Sequence, residues 1–211
     1  QDLFEVRVSK GELWLGFKPG VMAIRPTRLE VEVTLPELTG LVLSGSGAVT
    51  LEDAFGGPDL SLALSGSGSI AAREGLSYTN LSARLSGSGS LSLAASVSKA
   101  TLTLSGSGAF KAASLYATSC DMTLTGSGDI RIGEGAIGSL AARISGSGDI
   151  EAEAVSVRQA SIRITGSGDA TLRVDERLEA VLSGSGSVRY AGKPLVDSRS
   201  TGSGRVSPLT R

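Results

Sequence analysis

Apolar residues fall at every second position on both sides of a recurring Ser/Thr-Gly-Ser-Gly tetrapeptide. It begins at Ser44, Ser65, Ser86, Ser105, Thr125, Ser145, Thr165, Ser183 and Thr201. Just before it stand Leu43, Leu64, Leu85, Leu104, Leu124, Ile144, Ile164 and Leu182, and two positions earlier Leu41, Leu62, Ala83, Leu102, Met122, Ala142, Ile162 and Ala180. The slot five residues after its start holds Val49, Ile70, Leu91, Phe110, Ile130, Ile150, Ala170 and Val188. A period of two predicts a strand with one buried face on each side of the tetrapeptide. A third apolar stretch follows in each repeat, with Leu76 and Tyr78, Val97, Leu115 and Ala117, Ile137, then Val155 and Val157.

The tetrapeptide intervals are 21, 21, 19, 20, 20, 20, 18 and 18 residues. A fixed period of this size marks a stacked repeat architecture. A flexible Gly/Ser linker has no reason to recur in register between apolar flanks. Three short strands and three corners in about 20 residues make one triangular turn, so the expected fold is an all-β, three-sided parallel β-helix. Equivalent residues then stack at about 4.8 Å, and eight steps span roughly 38 Å. One turn alone buries too little to hold itself; stacking supplies the rest. The tetrapeptide suits a corner because glycine tolerates positive φ and because small side chains let successive corners approach. The serine hydroxyls are expected to bond to neighbouring backbone. A glycine-rich phosphate cradle would need a helix to follow, and the pattern that follows is strand.

The expected organisation is one domain over 1–211, with N-terminal strands and cap at 1–39, repeats at 40–206 and a tail at 207–211. Phe4, Val6 and Val8, a turn at Ser9–Glu12, then Leu13, Leu15 and Phe17 read as a hairpin. Leu29, Val31, Val33 and Leu35 alternate as a further strand. Trp14 and Phe17 are expected to cover the open end of the apolar column. At the far end Ser198 and Ser200 replace apolar residues before the last tetrapeptide, which suits a closing turn.

Composition narrows the chemistry. Aromatics are 4% of the chain, so the core must be aliphatic. Twenty Lys and Arg against 21 Asp and Glu leave a net charge of −1, which supplies no counterion-release drive toward nucleic acid. Histidine is absent, removing the commonest general base and neutral metal ligand. Without it, and without a Ser-x-x-Lys motif, the many serines do not point to a hydrolase. The single cysteine, Cys120, reads as a small buried hydrophobe beside Ala100 and Leu140 of the adjacent turns. No apolar run approaches the roughly 18 residues of a membrane-spanning helix. No signal peptide is visible, and the opening on Gln1 suggests a processed or truncated product.

Two charged rows are the candidate sites. Asp129, Asp149 and Asp169 follow the tetrapeptide in three consecutive repeats. In register they form a carboxylate ladder, a weak calcium candidate; the plainer expectation is an exposed, metal-free row balanced by Arg131, Arg163 and nearby basic residues. Arg84, Arg143, Arg163 and Arg199 lie two positions before the tetrapeptide and should face outward, as a solubilising row or an acidic-glycan surface. The longest spare stretch, Asp53–Asp59, reads as a single loop. No catalytic or cofactor-binding residue is assigned, and no cofactor is expected.

The recurring Leu-Ser-Gly-Ser-Gly-x-Ile, the lead-in Val33-Thr34-Leu35-Pro36-Glu37-Leu38 and the closing Tyr190-Ala191-Gly192-Lys193-Pro194 resemble the putative auto-transporter adhesin head GIN domain family (DUF2807). The resemblance runs from about Leu3 to Val206, with the chain beginning part-way into the family's N-terminal strands. It implies a right-handed β-helix, a location in the periplasm, at the outer-membrane surface or outside the cell, and no established activity or functional residues. The expectation is therefore a non-enzymatic structural or adhesin-like envelope module. The alternatives are a carbohydrate-binding or carbohydrate-active β-helix and an accessory or sensor domain. Surface glycans, other envelope proteins or a second copy of the chain are the candidate partners.

Overall fold

The structure, a computed structural model, describes residues 4–18 and 30–209. It divides into two compact units, Gln1–Leu35 and Pro36–Arg211.

In the first unit Phe4–Ser9 pairs antiparallel with Glu12–Phe17. The turn needs positive φ at both central residues, and Lys10 (52°) and Gly11 (79°) supply it. Phe4 packs edge-on to Phe17 with ring centroids 5.7 Å apart, and the Arg7 guanidinium lies 5.6 Å from the Trp14 ring centroid. Trp14 and Phe17 remain exposed. The strand expected over Leu29–Leu35 does not form in its described part, where Val31 and Val33 are exposed and unpaired; Leu29 lies outside the described residues. Alternation names a face to bury, but a strand also needs a backbone partner.

The second unit is a β-solenoid of about 20 residues per turn. Each turn pairs in parallel with the next, and the register is continuous along the stack. The first glycines of the tetrapeptides pair in sequence from Gly45 through Gly66, Gly87, Gly106, Gly126, Gly146, Gly166 and Gly184 to Gly202. Between Gly40 and Pro208 no gap between strands exceeds three residues. The stretch Asp53–Asp59 is thus not a loop: strand Phe55–Gly66 absorbs most of it, because Phe55 and Gly56 pair with Leu76 and Ser77 of the next turn.

Burial reveals the three sides. Along Ala109–Gly126 the buried residues are Phe110 and Ala112, then Leu115 and Ala117, then Cys120, Met122 and Leu124. The step is two within each group and three between groups. The extra residue at Ala113-Ser114 and at Thr118-Ser119 turns the chain through a corner without breaking the strand, and the tetrapeptide makes the third corner.

Leu64, Leu85, Leu104, Leu124, Ile144, Ile164 and Leu182 are at most 2% exposed and pair successively, forming one aliphatic column. Leu43 heads the column and is only half-buried. Cys120 pairs with Ala100 and Leu140 and is buried. Tyr78, also buried, keeps its hydroxyl satisfied by donating to the Leu38 carbonyl at 2.6 Å. Burial, and secondarily Glu37, raises its pKa. At the other end Leu195–Gly202 continues the ladder although every side chain in it is exposed, Ser198 and Ser200 included. Among the described residues no charged residue is buried.

Candidate functional site

The tetrapeptide corner sets the geometry of the surface beside it. Its first glycine has φ between +103° and +129° in all nine copies, a region L side chains rarely adopt. The second glycine is constrained by contact: from Gly68 onward, an added Cβ would collide with the carbonyl of the equivalent glycine one turn earlier. This crowding is productive. Ser67 and Gly68 both donate their N–H to the Gly45 carbonyl, at 3.0 and 2.9 Å, and Ser147 and Gly148 do the same to Gly126. Main chain therefore satisfies main chain at the corner. The expected role of the serine hydroxyls is accordingly not seen. Among the described tetrapeptides only the Thr201 hydroxyl bonds to backbone, donating to the Leu182 carbonyl at 3.3 Å. The other hydroxyls are left to solvent.

The aspartates next to this corner do come together as a ladder, but with a role the sequence did not suggest. In earlier turns the residue at this position donates its N–H to the last glycine of the preceding corner, as Ser69 does to Gly47 and Ala109 to Gly89. Where an aspartate stands one turn below, its carboxylate takes the carbonyl's place. The Asp149 N–H donates to Asp129 Oδ1 at 3.3 Å, the Asp169 N–H to Asp149 Oδ1 at 2.8 Å, and the Ser187 N–H to Asp169 Oδ1 at 2.8 Å. The row is consequently half-buried and not exposed as expected; the Asp129 and Asp169 side chains are 35% and 32% accessible.

The balancing cations match expectation at Arg131 but not at Arg163. Arg131 donates to Asp129 Oδ2 at 3.2 Å and to Glu151 at 2.9 Å, and Arg189 donates to Asp169 Oδ2 at 2.8 Å. The hydrogen bond to Glu151, its charge and that of Asp129 raise the pKa of Arg131. Arg163 takes no part, since it lies on the side before the tetrapeptide, paired with Arg143. Among the described residues no three carboxylate or thiol groups converge as ligands of one ion.

Arg84, Arg143, Arg163 and Arg199 are exposed as expected, but they are not one continuous row. Only Arg143 and Arg163 are neighbours; Thr103 and Thr123 separate Arg84 from them, and Val181 separates Arg199.

A stack of parallel turns closed by glycine corners, with an aliphatic interior and ladders of like side chains outside, defines the class: a β-solenoid. The chain belongs to the family described as putative auto-transporter adhesin, head GIN domain, whose profile matches residues 1–134 and 133–194. Among solved structures it is similar to a protein from Parabacteroides distasonis described as a putative lipid binding protein, with 26% identity and a TM-score of 0.70 over 72% of this chain. The match spans 63% of that protein's length. It is also similar to a putative adhesin from the same organism, with 21% identity and a TM-score of 0.76, covering 84% of this chain and 94% of the other. A putative adhesin from Parabacteroides merdae gives 21% identity and a TM-score of 0.76, covering 99% and 78%. At 21% identity these last two likenesses speak for the fold alone. No curated protein matches the chain in sequence.

Proposed function

We propose that this chain is a non-enzymatic, adhesin-like module of the bacterial cell envelope that binds surface glycans or envelope proteins through its outer faces. The observation that carries the reading is the smoothness of the solenoid: with no gap between strands longer than three residues from Gly40 to Pro208, no loop among the described residues of this stack rises to wall a cleft. Acid–base catalysis at neutral pH draws on side chains held in water-excluding clefts, whereas rows of equivalent side chains suit many weak contacts summed over a surface. Membership of the adhesin family supports an envelope or surface location. Microspheres coated with the protein should be retained on a panel of immobilised acidic and neutral polysaccharides without release of new reducing ends. Steady release of reducing ends, abolished by replacing a single Asp or Arg, would overturn the reading in favour of a carbohydrate-active enzyme.

A further inference from the structure

The outward position eight residues after the tetrapeptide start carries Glu52 and Arg73 in the first two turns and Glu153 and Arg173 in the sixth and seventh. In the three turns between, it carries Ala94, Ala113 and Gly133. These small residues leave a shallow, solvent-open groove of about 360 Å³, with Arg73 at one end and Lys111 and Arg131 toward the other. Small-ligand sites start near this size, at about 300 Å³. The groove crosses three steps of the stack, roughly 14 Å.

Its charges are unequally satisfied. Arg73 meets Glu52 at 2.8 Å, and Arg131 meets Glu151 at 2.9 Å and Asp129 at 3.2 Å. Lys111 pairs in register with Arg131 on one side and Ser92 on the other, and it has no carboxylate partner among the described residues. Like charges directly opposite each other on paired strands repel, so an anion settling between Lys111 and Arg131 would relieve a cost already present in the fold.

We infer that this groove binds a short acidic oligosaccharide, a run of uronic acid residues whose carboxylate is anchored by Lys111. The inference rests on the binding-module reading above and gives it a site and a ligand class. The groove floor of methyl and methylene groups suits the C–H faces of pyranose rings, while its shallowness offers no slot for an acyl chain. The strands beneath it are paired on both sides, which leaves no edge for a peptide to join as an added strand.

Titration calorimetry of the intact chain at low salt, with trigalacturonate and with its neutral galactose counterpart, tests this. The acidic trimer should bind at least tenfold more tightly than the neutral one. Lys111→Ala should weaken it at least tenfold, and so should Ala113→Gln, which fills the floor without changing charge. Ala113→Gln should fold normally, since other turns carry Glu153 and Arg173 at the same outward position. Arg177→Ala, an exposed cation on another side, should change nothing, and unfolding midpoints confirm that each variant is folded. Equal affinity in all variants, or inorganic phosphate competing as well as the trimer, would overturn the proposal. Retention of coated microspheres on polysaccharide with no trigalacturonate binding would eliminate the groove and leave the binding-module reading standing; loss of both would eliminate both.

Discussion

Gly106 shows how two constraints meet in one residue. Its φ is +118°, and a Cβ there would lie 2.5 Å from the Gly87 carbonyl oxygen. Backbone strain alone makes Gly106→Val destabilising by about 1–3 kcal/mol, and the collision adds to that. Ser107, whose hydroxyl is exposed, should tolerate Ala within about 0.5 kcal/mol. Urea unfolding of the two variants checks the contrast, and equal losses would mean the glycine serves only for size. Asp149 is a second case, in which a side chain replaces a main-chain acceptor. Asp149→Ala leaves the Asp169 N–H without its partner and should cost about 1–3 kcal/mol, while Asp149→Asn, which keeps an acceptor, should cost less. Because Oδ1 of each aspartate is already committed to backbone, millimolar calcium should leave the unfolding midpoint unchanged. Burial, and secondarily Asp121, pushes the Cys120 thiol from 9.0 up to about 12. The native thiol should therefore resist labelling at pH 8. The sign of its linkage follows: above pH 9.0 the unfolded thiol ionises while the folded one stays protonated up to about 12, so its contribution to stability falls as pH rises through that window. The midpoint difference between wild type and Cys120→Ala should shift in that direction.

Strands in this molecule depend on neighbours above and below as much as on their own pattern. Leu104 sits between Leu85 and Leu124 and is 1% exposed, so Leu104→Ala should cost roughly 2–5 kcal/mol. Leu43 has the same place in its repeat but, among the described residues, a paired strand on one side only, and Leu43→Ala should cost clearly less; equal losses in denaturant titrations would contradict the column. The same dependence explains which segments could be read in advance. The hairpin Phe4–Phe17 and the strands flanking each tetrapeptide were legible because alternation and turn residues agree. The alternation through Val31, Val33 and Leu35 misled because its pattern carried no information about a pairing partner. The supposed loop Asp53–Asp59 misled in the opposite sense: its Gly-Gly-Pro looks like a break, yet the adjacent turn supplies the pairing that extends the strand.

Along the whole stack, stability should follow the number of neighbours each turn has, as in other quasi-one-dimensional proteins. Native-state hydrogen exchange should be slowest from about Leu85 to Ile164, where each strand is paired on both sides, and fastest over Leu195–Pro208, where the last turn has one neighbour and exposed side chains. Uniform protection would mean the solenoid opens only as a single unit.

The solenoid, its period, its corners and the membership of its aliphatic column can all be read from the chain's pattern, because stacking in register makes every repeat a measurement of the same environment. Nine copies of one pattern separate inward from outward positions without any coordinates. What lies between turns emerged from the folded arrangement. It showed that corner carbonyls are satisfied by main-chain N–H groups and not by serine hydroxyls. It showed that the aspartates accept backbone hydrogen bonds from the next turn, that Arg131 and Arg189 pair with Asp129 and Asp169 where Arg163 does not, and that three small outward residues open a groove beside a lysine with no carboxylate partner among the described residues. These are relations between residues about 20 apart, and they depend on which atom reaches a partner first across a gap of about 4.8 Å. A one-dimensional pattern lines residues up in columns, but it does not record the direction in which each polar atom points.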